Sequence, residues 1–234
     1  MAVLPTPVLP AAARWTILAR VAELALWLWL VFGILAVVVR ALLQKRRTGA
    51  FGISGVSGQP GSVEWLGGIG FVLAVALGVA APVLAAADVV EPIDALDVTP
   101  VHVAGVVLYA VGLAGVMGAQ RAMGASWRIG VAEEERTQLV TRGAFELVRN
   151  PIYTTMTATI TGLALLVPSV VSLLAVVLLV ASLELQTRVV EEPYLLRTHG
   201  DAYATYAGRV GRFVPGVGRL RAPQAASDTR RLDG

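Results

Sequence analysis

From Leu24 to Leu43 the chain runs for about 20 residues with a single charge, Arg40. At about 1.5 Å of rise per residue, a helix of that length crosses the hydrocarbon core of a bilayer. The pattern recurs. A second apolar run covers about Leu66–Ala86, a third about Val101–Ala119, and two shorter ones about Tyr153–Val167 and Val170–Gln186. Val167-Pro168-Ser169-Val170 is the turn that folds the last two into a hairpin. The composition agrees: 56% of the 234 residues are hydrophobic and only 15% charged, with a mean hydropathy of +0.71, where a soluble domain carries roughly a quarter charged residues. The expected fold is an all-α membrane protein of about five transmembrane helices, with a C-terminal helical hairpin and a cytosolic C-terminal region. The fourth run is short for a full crossing and is expected to start inside the headgroup layer or to tilt little.

The runs are rich in small residues. Gly67, Gly68, Gly70 and Gly78 lie in the second, and Gly105, Gly112, Gly115 and Gly118 in the third, where they permit close helix packing in lipid. Thr154, Thr155, Thr157 and Thr159 crowd the start of the fourth and are expected to bond back to the helix or across to a neighbour. Basic residues set the orientation. Arg40, Lys45, Arg46 and Arg47 place the end of the first span in the cytoplasm, the acidic loop Asp88–Asp97 lies outside, and the arginines of the 120–150 loop and of the C-terminal region lie inside. Arg14 and Arg20 dissent from this N-out, C-in arrangement. In a bacterium the membrane would be the inner one. The chain divides into an N-terminal segment (1–23), a three-helix scaffold (24–119), a catalytic region with the hairpin (120–221) and a disordered tail (222–234). Met1–Ala13 has no basic stretch of the kind that opens a signal peptide and is expected to be frayed or surface-lying.

The absence of cysteine excludes disulfides and thiolate chemistry, and His102 and His199 stand too far apart to suggest a metal site. The positive charge gathers at membrane ends, which argues for orientation rather than nucleic-acid binding. Two polar clusters flank the hairpin. Glu184, Arg188, Glu191 and Glu192 fall three or four residues apart and would share a helix face, an arrangement that in a membrane helix needs pairing or solvation. Arg149-Asn150-Pro151-Ile152-Tyr153 reads as a helix start, with Asn150 as cap and Pro151 in the first turn; the free N–H groups of such a start suit a carboxylate. Tyr203 and Tyr206 read as interface anchors, Glu133-Glu134-Glu135 as a solvated helix start, and His102 as a packed or interfacial histidine.

In order, these pieces resemble a known family. Gln138-Leu139-Val140-Thr141-Arg142-Gly143-Ala144-Phe145 with Val148-Arg149-Asn150-Pro151-Ile152-Tyr153, then Arg188-Val189-Val190-Glu191-Glu192-Pro193-Tyr194-Leu195, then Gly200, Tyr203, Tyr206, Val210, Arg212, Phe213 and Pro215 are similar to the motifs of isoprenylcysteine carboxyl methyltransferases and the phospholipid methyltransferase-like membrane enzymes. The resemblance covers about Thr137–Gly216. It implies S-adenosylmethionine (SAM) held on the cytosolic side and converted to S-adenosylhomocysteine. Carried over, Thr137, Gln138, Leu139 and Val140 line the nucleoside, with Phe145 in the same pocket. Asn150, Pro151, Ile152 and Tyr153 meet the methionine part, and Glu192 the amino group or ribose. Arg188 faces the methyl acceptor, and Glu191 stands near it as a base. Asn150 and Thr137 stand where the family often has histidine; asparagine keeps a hydrogen bond to a carboxylate but no proton transfer.

Methyl transfer from a sulfonium needs alignment and exclusion of water rather than a metal. A carboxylate acceptor, an isoprenylcysteine-like or lipid acid, requires a cation to orient it, for which Arg188 is placed; an amine or thiol requires a base, Glu191 or Glu184. A lipid-soluble or lipidated acceptor entering from the bilayer is the expected partner. Two other readings stand beside this one. The first is an NADPH-dependent membrane reductase of related fold, with Arg136 and Arg142 near the nucleoside. The second is a membrane subunit that has kept the fold and lost the chemistry.

Overall fold

The computed structural model describes residues 11–53, 55–56, 58–127 and 138–220, with side chains from Leu18 onward. The regular elements among the described residues are helices, and an isolated bridge joins Val148 to Gly211. Helix α1 (Ala11–Gly33) continues through a π-helical stretch (Ile34–Val39) into α2 (Arg40–Thr48); α3 spans Val63–Ala86 and α4 Thr99–Met123. A single turn, α5 (Ala144–Leu147), precedes the hairpin of α6 (Pro151–Leu166) and α7 (Val170–Gln186). A second π-helical stretch (Thr187–Glu191) leads into α8 (Glu192–Arg209).

Four helical segments are long and apolar enough to cross a membrane: Leu18–Thr48, Val63–Ala86, Thr99–Ser126 and one beginning at Val170. The expected fourth span is shorter. Helix α6 has 16 residues, about 24 Å, against a hydrocarbon core of about 30 Å. Five crossings are therefore not what the helix lengths give; four helices reach the length, and α6 is packed among them. The N-terminal region also departs from expectation. Residues 11–23, the described part of the segment set apart as N-terminal, are helical and continuous with the first span, and Ala22 is fully buried. The expectations for residues 1–10, Thr137, Glu133-Glu134-Glu135 and the 222–234 tail fall outside the described residues.

The longest seams join α4 to α6 and α3 to α7, and α1 lies against α3. The glycines explain why. A Cβ on Gly162 of α6 would stand 2.5 Å from the Tyr109 amide nitrogen and 2.6 Å from the Gly105 carbonyl oxygen of α4, so the backbones meet where no side chain fits. Gly112 and Gly115 face Thr159 and Thr155 in the same seam, Gly70 faces Ser182 across α3 and α7, and Gly78 faces Trp29 of α1. The threonines bond back along α6, Thr155 Oγ1 to the Pro151 carbonyl and Thr159 Oγ1 to the Thr155 carbonyl, which satisfies their hydroxyls without a partner helix. Tyr109 donates to the Leu28 carbonyl at 2.7 Å and ties α4 to α1.

This packing gives the bundle two unlike ends. At one, the acidic loop closes on the hairpin turn, Ile93 N–H donating to the Pro168 carbonyl at 2.7 Å. At the other, the ends of α4 and α7 meet the start of α6, and the end of α2 is tied to the end of α4.

Candidate active site

The start of α6 is built by two strands of irregular backbone. Arg149 N–H donates to the Gly211 carbonyl and Asn150 N–H to the Arg212 carbonyl, at 2.8 and 3.1 Å. The segment after α8 is thereby strapped along the residues that enter α6, and Thr154 Oγ1 adds a bond to the Phe213 carbonyl at 2.8 Å. Asn150 holds the cap position, yet its side chain does not cap; Nδ2 donates instead to the Arg212 carbonyl at 3.3 Å. The strap has taken the side chain that a free helix start would use. With Pro151 first in the helix and Thr154 N–H already bonded to the Asn150 carbonyl, the N–H groups of Ile152 and Tyr153 have no carbonyl of a preceding turn to meet.

Beneath the strap lies a buried ion triad. The Glu192 carboxylate accepts from Arg149 Nη2 and Arg212 Nε on one oxygen and from Arg212 Nη2, at 2.9 Å, on the other. Glu192 and Arg149 are each 5% exposed. Arg149 also donates to the carbonyls of Ala207, Val210 and Gly218, so one side chain fixes the end of α8 and the strap together. Arg212 extends the chain of charge outward, its Nη1 lying 3.6 Å from Glu184, which in turn accepts from Arg188 Nε at 2.5 Å. The hydrogen bond to Glu192 holds the Arg212 guanidinium in its charged form, above its ordinary pKa. Arg188, Glu184, Arg212, Glu192 and Arg149 thus form a continuous row of alternating sign, exposed at Arg188 and buried at Arg149.

The single face expected for Glu184, Arg188, Glu191 and Glu192 is broken by the π-helical stretch, which inserts a residue into the helical repeat. Arg188 turns back to Glu184, Glu191 accepts a hydrogen bond from the Tyr153 hydroxyl, and Glu192 turns inward to the two arginines. The tyrosines of α8 are a further correction. Tyr203 and Tyr206, expected as interface anchors, are 2% and 5% exposed and form a small core with Leu139, Leu195, Val210 and Leu220. Gly200, at φ 50° and ψ −128°, kinks α8 and folds its second half back onto the loop. The Tyr206 hydroxyl donates to the carbonyl of buried Phe145 at 2.6 Å.

Of the residues expected at a cofactor, Leu139, Phe145, Asn150, Pro151, Ile152, Tyr153 and Glu192 are thus drawn to one end of the bundle by the tyrosine core, the strap and the triad. Val140 is half-buried beside them, and Gln138 is exposed. Thr137 is not among the described residues. Residues 100–202 match the model of the phospholipid methyltransferase family. The match covers 103 of the 234 residues and shows what this part of the chain is similar to. Its region runs from the start of α4 through the kinked part of α8 and takes in the hairpin, the π-helical stretch and Glu192. The similarity points to a membrane methyltransferase. No curated protein matches the chain.

Sequence reasoning missed what Arg149 and Arg212 do in this protein. Each had been read as part of a local motif. A signal was present: both charges sit among apolar neighbours (Leu147-Val148 and Phe213-Val214) in a chain poor in charge, and a buried arginine requires an anionic partner or carbonyls.

Proposed function

We propose that the chain is a SAM-dependent methyltransferase whose acceptor is a lipid-soluble molecule with its polar end at Arg188. The observation that carries this reading is the row of alternating charge running from exposed Arg188 to the buried triad, beside the open N–H groups of Ile152 and Tyr153. These groups suit an amino acid moiety. Two backbone donors at the positive end of α6 fit its carboxylate. Glu192 accepts three hydrogen bonds and a carboxylate offers about four sites, which leaves one on Oε2 for an ammonium. Leu139, resting on the tyrosine core, with Val140 and Phe145 supplies an apolar flank for a nucleoside, with Gln138 at its edge.

When bound, SAM supplies a methyl group already activated on a sulfonium. The protein's own work is to hold and orient. For a carboxylate acceptor, Arg188 swings from Glu184 to pair with it. A carboxylate acceptor would already be anionic, so it would need this orienting cation and no base. The description of the matched family, phospholipid methyltransferase, supports a second reading in which the acceptor is a headgroup amine. That amine must first lose a proton, which Glu191 receives; its link to the Tyr153 hydroxyl holds the carboxylate at the start of α6. Labelled SAM incubated with membranes separates the two. A carboxyl ester releases labelled methanol in mild alkali, whereas an N-methyl group keeps its label. Absence of any labelled lipid fraction would contradict the proposal.

A further inference from the structure

The basic end of the first span carries a feature that methyl transfer does not use. Between Glu23 and Glu64 the sequence has four positive charges, Arg40, Lys45, Arg46 and Arg47, and no acidic residue. In the structure the four divide into two kinds. Arg40 is 5% exposed and faces inward: Nη2 donates to the Gly124 carbonyl, and the guanidinium carbon lies 4.7 Å from the Trp127 ring centre. Gln44, one turn on, donates to the Ala125 carbonyl at 2.7 Å. Gln120 returns the tie from α4, donating to the Ala36 carbonyl at 2.8 Å. Helix α2 is therefore pinned to the end of α4 along one face.

Pinning that face turns the other outward. Lys45, Arg46 and Arg47 are exposed in the last turn of α2, and no ion-pair partner for any of them occurs among the described residues. They alternate with apolar surface. Leu42 and Leu43 are exposed on the same helix, and Phe51 and Ile53 on the chain that follows. Gly49, at φ 83°, ends the helix and turns the chain back, which brings the Phe51 ring to 4.4 Å from the Lys45 ammonium. Apolar side chains and three cations with no ion-pair partner among the described residues, held together on a helix end at the edge of a membrane span, match a headgroup layer in which the lipids are negative. Each basic residue near such a surface contributes about one power of five in affinity.

We infer that the end of α2 is a binding surface for anionic phospholipid, and that it holds such lipids around the folded protein. A charge cluster needed only to orient the span during insertion requires no lipid preference afterwards.

The test is lipid selection by the purified full-length protein in nanodiscs of phosphatidylcholine and phosphatidylglycerol, read by native mass spectrometry of the retained lipids. The wild type is expected to retain phosphatidylglycerol several-fold above its share, with the enrichment falling as salt rises. Lys45→Gln/Arg46→Gln/Arg47→Gln is expected to lose the enrichment. Should that triple variant fail to fold, the single variants Arg46→Gln and Arg47→Gln, checked by thermal unfolding, are expected each to lower it. A control, Arg142→Gln/Arg219→Gln, removes two exposed charges elsewhere and is expected to leave the enrichment in place. Equal retention of both lipids by the wild type, enrichment unchanged in every α2 variant, or loss of it to millimolar inorganic phosphate at constant ionic strength would overturn the inference.

Discussion

Two arginines, Arg149 and Arg40, are equally buried at the same end of the bundle, and the protein treats them differently. Arg149 faces a carboxylate, Glu192, which a second arginine also grips. Arg40 has no carboxylate among the described residues; it has the Gly124 carbonyl at the negative end of α4 and the face of Trp127. Arg149 reaches three further carbonyls between Ala207 and Gly218, about 60 residues on in the chain, whereas Arg40 reaches one among the described residues. The first is a keystone whose removal leaves charge and carbonyls unmatched. The second is a tie between two helix ends, and its loss frees a few groups near the surface. Burial alone does not say what an arginine is for; the partners left behind do.

The comparison can be broken most forcefully at Glu192. Glu192→Ala leaves two buried guanidiniums without their anion, an effect of about 3–5 kcal/mol on stability, and SAM binding is expected to go with it; chemical unfolding and SAM titration in detergent measure both. Next is a matched pair. Arg149→Met is expected to lower the unfolding temperature clearly more than Arg40→Met, because it strands Glu192's partner geometry and the carbonyls of Ala207, Val210 and Gly218; equal effects would erase the distinction drawn above. Tyr206→Phe removes one buried hydrogen bond, to the Phe145 carbonyl, and is expected to cost about 1 kcal/mol with weakened SAM affinity, since the same contact seats the loop. Smallest in stability is Arg188→Ala. Arg188 is 60% exposed, so stability and SAM affinity should hold, while transfer to a carboxylate acceptor is lost; retained transfer would favour the amine.

Much of this was legible in the chain because it depends on local pattern. The apolar runs gave the long helices, and the glycines of the second and third runs marked the seams, since small residues at a helix interface need no knowledge of the partner. The Asn150-Pro151 step gave the start of α6 to the residue. What was not legible depends on partners far away in sequence. Glu192 could be placed on a helix, but the choice of Arg149 over Arg188 is made by a contact across 43 residues. The shared face of Glu184 and Glu192 assumed a regular helical repeat, and the π-helical stretch between them shifted it. Tyr203 and Tyr206 looked like surface anchors because Gly200, an unremarkable residue in sequence, hides the kink that buries them.

The claim beneath these predictions is that the start of α6 and the buried triad around Glu192 together hold SAM, with Arg188 set at the methyl acceptor. Calorimetric titration of the purified protein with SAM tests it most directly, with NADPH as the competing ligand and Arg188→Ala alongside. The account predicts saturable binding of SAM by both proteins, no binding of NADPH, and methyl transfer to lipid by the wild type alone. SAM affinity falling equally with Arg188→Ala, or NADPH binding where SAM does not, would contradict it.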